Sequence, residues 1–508
     1  MKYIVSCLSL FVLALCLLSG CIDDRSKGAY IPLSEISLEV GQDSFYTDYG
    51  SETVIPTPKI TQSLTEKELT YEWRAALQKG DNREDSLKYI SHEPELQYTF
   101  RELGEYRIRL RVSNGDVSKM YNYRVFVRTA FIEGLFVLSA DDRGKGRTSF
   151  LRTSRESDIW EGVESEFKMR AVEAVNPEIV LDDPIDAIPG NMRSGSVLYL
   201  TCRESQKIYQ FDNKTFDLLY VFDVKQELPR IKPMAVVTGF KGPYQGDPAT
   251  FYVMPDHGNA AGLDPANCFL YEDSNVFPAE AVYDKWAAAP PPGNLNTFLY
   301  LMDNRREQMD CVFSMFFGMM TFASNSGAIF KGYHVLNLTG RTSAEWGGTS
   351  ELWTVATDKT NASRVRITKF MESGMNYTAF DDPKEKLYET TAPLTLTAQS
   401  TMVMAHNNLG VCFYNNGSKL YRWKYLEGNA EVQPLPKEAD AVLTVEGEIT
   451  SLEASTNRLY LYIGVWNPLA TEKLKGSVLV YDIVNQKVVK TYPNVADRPV
   501  KVFYKPEG

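Results

Sequence analysis

The stretch Val197-Leu198-Tyr199-Leu200-Thr201-Cys202-Arg203-Glu204-Ser205-Gln206-Lys207-Ile208-Tyr209-Gln210-Phe211-Asp212 decides the fold class. It opens with an apolar run suited to a buried strand and turns through polar residues. It closes on a second strand whose last aromatic is followed by an acid. The same unit returns as Leu459-Tyr460-Leu461-Tyr462 with Val478-Leu479-Val480-Tyr481-Asp482, and as Val411-Cys412-Phe413-Tyr414 with Leu420-Tyr421-Arg422-Trp423. Weaker copies centre on Phe150, Tyr271-Glu272, Tyr333 and Ile367. Phe211 and Tyr271 lie 60 residues apart and Trp423 and Tyr481 lie 58 apart, intervals that suit a four-stranded unit with long loops. Such a unit cannot bury both its faces alone, whereas radial packing against neighbours covers both. Residues 130–508 are therefore expected to form a β-propeller. Seven blades of ~54 residues fit best against the usual ~40–50, with six and eight left open. Val500-Lys501-Val502-Phe503-Tyr504 is placed to close the ring on a strand near Gly134-Leu135-Phe136-Val137-Leu138.

Residues 32–129 carry a different strand pattern. Ile36-Ser37-Leu38-Glu39-Val40 alternates at period two, Leu69, Tyr71 and Trp73 share one face, and Tyr106-Arg107-Ile108-Arg109-Leu110-Arg111-Val112 alternates for seven residues. The turn Ser113-Asn114-Gly115-Asp116 and the strand Tyr121–Val127 complete a hairpin. Tyr71-Glu72-Trp73, Gly104-Glu105-Tyr106 and Val112-Ser113-Asn114 together resemble the immunoglobulin-like PKD domain. That resemblance implies a small β-sandwich serving as spacer or interaction module. Arg74-Ala75-Ala76-Leu77 stands where PKD domains usually carry an Asp-Gly-rich turn, so the divergent PKD-like module is the better match. The fold class expected is all-β: an N-terminal immunoglobulin-like sandwich followed by a propeller.

The N-terminus reads as an export signal. Lys2 precedes an uncharged stretch from Tyr3 to Leu18 that is short for a bilayer span of ~20 residues. Leu18-Ser19-Gly20-Cys21 resembles the bacterial lipobox, which implies removal of residues 1–20 and lipidation of Cys21, with 21–31 as linker. Multiple acyl chains make such an anchor effectively permanent, at ~0.8 kcal/mol per buried CH₂. Asp23-Asp24 resembles the surface-export signal of Bacteroidota lipoproteins, which implies the outer membrane, facing the cell exterior. The run Cys311–Ala323 is interrupted by Gly and Ser and reads as a buried strand pair. A net charge of −11 with no basic cluster to offset it argues against nucleic acid.

Catalytic motifs of the zincin, nucleophile-elbow, Walker and calcium-loop types do not occur. No catalytic residue, metal ligand set or cofactor is assigned. Cys202, Cys268, Cys311 and Cys412 lack metal spacing and read as isolated thiols in strands, with Cys268 and Cys311 the first pairing to consider if a disulfide forms. Six residues are candidates for ligand contact. Asp256 and His257 follow an apolar strand in a polar turn, where they suit acid–base action or ligand binding, while capping of loop N–H groups is the commoner use of such a turn. His406 precedes Asn407-Asn408 in a similar setting. Trp286, Trp346 and Trp466 suit stacking on sugar rings or peptide side chains, or burial between blades. The paired acids Asp141-Asp142, Asp182-Asp183 and Asp381-Asp382 read as solvated loops. Ala287-Ala288-Ala289-Pro290-Pro291-Pro292-Gly293 reads as an irregular insertion rather than a strand.

The order of lipobox, acidic pair, PKD-like sandwich and propeller-like repeats resembles the PKD-like family lipoproteins of Bacteroidota. That resemblance implies a non-catalytic surface lipoprotein accessory to a SusC/SusD-like TonB-dependent nutrient importer, capturing or delivering oligopeptide or oligosaccharide. The competing reading is a propeller hydrolase or lyase acting on polysaccharide.

Overall fold

The computed structural model describes residues 32–507, apart from 65–66, 79–86, 163–165, 193–194, 241–249, 257, 265–266, 273–276, 290–297, 315–320, 343–348, 374–379, 381–382, 406–409 and 428–430. The chain divides into two units, Met1–Arg128 and Thr129–Gly508. Among the described residues no helix is long and apolar enough to cross a membrane, which leaves membrane β-barrels unaddressed.

In the first unit the alternation at Tyr106–Val112 becomes the strand Gly104–Ser113. It pairs on one side with Thr70–Leu77 and on the other with Ser118–Arg128. Ser44–Asp48 and Lys88–Ser91 extend this to a five-stranded sheet. Trp73, Ile108, Leu110, Val112, Tyr123, Val125 and Val127 point to one side and meet Ile36, Ile55 and Leu96 from two short ribbons, so the strands form layers around one core. Trp73 is fully buried, and its indole N–H donates to the Glu93 carbonyl at 2.8 Å. Asn114 closes the hairpin: its side-chain oxygen accepts from the N–H groups of Asp116 and Val117, while its amide donates to the Ser34 carbonyl at 2.8 Å.

The described residues of the second unit hold seven four-stranded sheets, antiparallel throughout. Five are built from consecutive strands, and the sixth takes Ala441–Thr444 as its outer strand after a short two-stranded ribbon, Leu426–Glu427 with Glu431–Val432. The first is completed by the C-terminal strand Arg498–Lys505, which pairs with Gly134–Ala140 in the register Leu135 to Tyr504, Phe136 to Phe503 and Val137 to Val502. This is the pairing expected from sequence. The first-in-line strands of the other sheets are Pro184–Met192, Pro233–Phe240, Lys285–Ala289, Tyr333–Thr342, Met402–Met404 and Glu448–Ala454. Each lies beside its counterpart in the next sheet, and Arg498–Lys505 touches both Glu448–Ala454 and Pro184–Met192, so these strands surround a common axis.

Seven apolar cores follow the same order. Phe136 and Phe503 of the first sheet pack with Leu198 and Phe211 of the second, and Tyr199 of the second packs with Phe251 of the third. The series ends where Tyr462 and Val480 of the seventh sheet meet Leu135, Val137 and Val502 of the first. A sheet covered on both faces by its neighbours satisfies the packing requirement set out from sequence, and the unit is β-propeller-like.

The three clear sequence copies fall on the second and third strands of the second, sixth and seventh sheets. Tyr271 does not share that phase. It lies in Phe269–Tyr271, the outermost strand of the third sheet, so the 60-residue interval joins unlike strands. The in-phase acid is Asp264, 52 residues after Asp212. The acids after the third strands are turn caps: Asp212 Oδ1 accepts from the N–H groups of Lys214 and Thr215, and Asp482 Oδ1 from those of Val484 and Asn485.

The alanine run also differs from expectation, because Lys285–Ala289 is a strand, paired with Phe298–Asp303. Alanine has little strand preference of its own. Here the strand is set by its tertiary setting: it is the innermost strand of its sheet, with Ala287 directly opposite Tyr300 and in the same apolar core as Met302. Cys311–Ser314 and Thr321–Ala323 do form a strand pair. All four described cysteines are free, with Cys202, Cys311 and Cys412 buried, so the Cys268–Cys311 pairing is not made.

Candidate functional site

Each outer strand hands over to the inner strand of the next sheet. The connection from the fifth to the sixth sheet, residues 390–401, is long, and it borders a cleft of about 590 Å³. Thr390, Thr391, Pro393, Leu394 and Thr397 form one wall; Leu336, Thr357 and Ser363 of the fifth sheet form the other. None of the lining side chains titrates. The cleft therefore offers hydroxyl donors and acceptors beside aliphatic surface, a lining suited to a neutral polar ligand.

The axis side holds this connection in place. Lys285, at the start of its inner strand, donates from Nζ to the Ala398 carbonyl at 2.7 Å, and the Asn337 amide reaches the carbonyls of Thr397 and Ser400. Burial lowers the Lys285 pKa from its ordinary value, against the opposing charge of Asp284. Thr395 Oγ1 meets the Tyr414 hydroxyl at 2.6 Å and donates to the Pro436 carbonyl at 2.8 Å, and Leu396 is buried between the fifth and sixth sheets. Hydrogen bonds at 395–400 and the buried Leu396 thus fix the later part of the wall.

A second polar feature lies on the axis itself. Lys501 Nζ sits 2.9 Å from Glu453 Oε2 and 4.0 Å from Asp186 Oδ1, joining three consecutive inner strands of the ring. Burial opposes the Lys501 charge, but the two carboxylates outweigh it and hold the ammonium well above its usual range. Burial raises the Asp186 pKa despite Lys501 and the Ala187 N–H. The trio is half-buried, and its geometry serves to pin the inner strands together.

Of the six expected ligand contacts, the three that lie among the described residues, Asp256, Trp286 and Trp466, are not brought together. Cys21, His257, Trp346 and His406 lie outside the described residues. Asp256 is exposed at the end of the second strand of the third sheet, with its N–H donating to the Lys232 carbonyl at 2.7 Å. Trp286, in the inner strand of the fourth sheet, is half-buried against the core shared with the third. Trp466 ends the second strand of the seventh sheet under the Arg498 guanidinium, 5.0 Å from its ring, and Arg498 is held in turn by Glu448 at 3.0 Å. These three residues belong to three different sheets. Among the described residues no group of three or more His, Cys, Asp or Glu side chains is arranged to hold a metal ion. The cleft itself was not found from sequence, because its threonines and aliphatics carry no motif. The length of the 390–401 connection was the available signal.

No protein-family model matches the chain, and no curated protein matches it. Among solved structures it is similar to a quinonprotein alcohol dehydrogenase-like protein from Bacteroides thetaiotaomicron, at 13% identity over 94% of this chain and 100% of that one, TM-score 0.46. It is also similar to apo AztD from Citrobacter koseri, at 9% identity over 86% and 98% of the two chains, TM-score 0.37. A third is the β-propeller domain of Myceliophthora thermophila Cps50, at 8% identity over 64% and 93%, TM-score 0.38. Likeness at this level carries no statement about chemistry.

Proposed function

We propose that this chain is a lipid-anchored, non-catalytic binding protein of the bacterial outer membrane. In this reading a PKD-like sandwich joins Cys21 to a seven-bladed propeller that captures a neutral oligosaccharide or oligopeptide for a SusC/SusD-like importer. The observation that carries the binding role is the cleft beside residues 390–398, whose lining supplies hydroxyls and aliphatic surface and no group able to move a proton. The seven cores in cyclic order support the blade count. The lipobox and the hairpin motifs support the anchor and the sandwich.

The test is binding of oligosaccharide and oligopeptide libraries to the mature chain, read by isothermal titration and by the chain length of the recovered ligand. Capture of intact ligand is expected, weakened at least tenfold in Thr391→Trp, which fills the cleft. Ligand recovered in shortened form would favour the polysaccharide hydrolase or lyase instead. Unchanged affinity in Thr391→Trp would remove the cleft from the account.

A further inference from the structure

Lys285 carries a charge that its structural task does not require. Its Nζ donates to the Ala398 carbonyl at 2.7 Å, and among the described residues it makes no ion pair. The neighbouring acid, Asp284, is turned to Asn304, accepting from its backbone N–H at 3.1 Å and from its side-chain amide at 2.9 Å. Asp284 therefore acts on Lys285 only at a distance, and burial prevails in lowering the Lys285 pKa from its ordinary value. Lys501, also on the axis, shows the contrast, with the carboxylates of Glu453 and Asp186 beside it. A tie to a carbonyl needs no cation: Asn337 reaches the carbonyls of Thr397 and Ser400 with a neutral amide. A half-buried ammonium in that role costs desolvation that a single carbonyl only partly offsets.

The position of that charge relates it to the cleft. Ala398 is itself a lining residue, so the ammonium lies one carbonyl away from the end of the cleft that faces the axis. On the other wall the inner strand Tyr333–Thr342 carries a β-bulge between Val335 and Asn337. The residue left out of the ladder is Leu336, and it lines the cleft. The cleft thus has a neutral body of hydroxyls and aliphatic surface, with one uncompensated cation at its end. A ligand that fits both carries a neutral polar chain and a terminal anion. The body chooses between carriers. A sugar presents flat apolar faces and adjacent hydroxyls, which are met by aromatic rings and by two-pronged amides, carboxylates or guanidiniums; among the described residues the lining holds none of these side chains. Single hydroxyls at Thr357, Ser363 and Thr391 match the separate amides of a peptide instead, and Leu336 and Leu394 match its aliphatic side chains.

We infer that the cleft takes an oligopeptide and that the Lys285 ammonium receives its C-terminal carboxylate. This rests on the cleft being the capture site proposed above, and it narrows the ligand from two classes to one. Beyond the N–H given to Ala398, the ammonium has two donors for the carboxylate. A charge-assisted bond at that point fixes which end of the peptide lies toward the axis. The lining offers no counter-charge to the side chains in between, so uncharged ones are preferred there.

The experiment uses the full mature chain and tetrapeptides of alanine and leucine, each as the free acid and as the C-terminal amide, with affinity read by isothermal titration. In the wild-type protein the free acid is expected to bind about tenfold more tightly than the amide, a ratio that needs no variant. In Lys285→Met the ratio is expected to fall to about one, whereas Lys285→Arg keeps the charge and the preference. Thr391→Trp is expected to weaken acid and amide alike, which reads the cleft separately from the charge. Equal affinity for acid and amide in the wild-type protein, or a preference kept in Lys285→Met, overturns the role of Lys285 while the cleft is judged by Thr391→Trp. Capture of a neutral glycan, lost in Thr391→Trp and without peptide binding, overturns the inference and leaves the capture site standing. Binding of trigalacturonate in place of peptide overturns it in favour of an acidic glycan, and no binding of any of these ligands overturns both readings.

Discussion

The ammonium of Lys505 is buried where the first and second sheets meet. It donates to the carbonyls of Ile132 and Asn213, each at 2.8 Å, and lies 5.6 and 5.8 Å from the rings of Phe150 and Phe216. Burial lowers its pKa to about 7, with Asp212 and Glu133 opposing the shift. In the unfolded chain the group titrates near ~10.4, so between the two values the unfolded state binds more protons and stability rises with pH. Chemical denaturation across that window is expected to show stability growing by up to a few kcal/mol as pH rises, with the slope lost in Lys505→Met. The same rise in Lys505→Met would assign it to another group. The turn acids make a second residue-scale case. Asp482→Ala removes acceptors for the Val484 and Asn485 N–H groups and is expected to cost about 1–2 kcal/mol in urea unfolding. The acid was legible in the repeat; its role as a turn cap required the distances.

At the scale of elements, the inner strands are tied by Lys501, Glu453 and Asp186. Lys501→Met removes the cation that opposes the effect of burial on Asp186, so the folded-state pKa of Asp186, already raised, rises further above the unfolded one. The stability that Asp186 contributes is then present at low pH and lost as pH rises through its folded value. Lys501→Met is therefore expected to be more destabilised at pH 8 than at pH 5, measured by thermal unfolding, and an equal loss at both would count against the trio as a tie. Strand pairs built on continuous apolar runs, such as Val197–Leu200 with Ile208–Asp212, are legible because burial on both faces writes itself into residue type. Lys285–Ala289 is not, since alanine has little strand preference of its own and the pairing with Phe298–Asp303 that makes it a strand is a tertiary feature that local preference does not record. Tyr271 misled through resemblance of residue type across strands that occupy different places in their sheets.

For the molecule as a whole, closure rests on the last strand. Val502 and Phe503 are buried and join the first sheet to its neighbours on both sides. Val502→Asp places a carboxylate in the core between the seventh and first sheets and is expected to destabilise the second unit by several kcal/mol in guanidinium unfolding. The closing pair was legible from sequence. The cleft was not, because its chemistry comes from dispersed hydroxyls brought together by the ring. The functional account joins an anchor, a spacer and a capturing surface beside an importer. Its most direct test is a pull-down of the acylated protein from native outer membrane, with co-purified proteins identified by mass spectrometry. The account expects a TonB-dependent transporter of the SusC type in stoichiometric amount; recovery of the acylated protein free of any such transporter would contradict it.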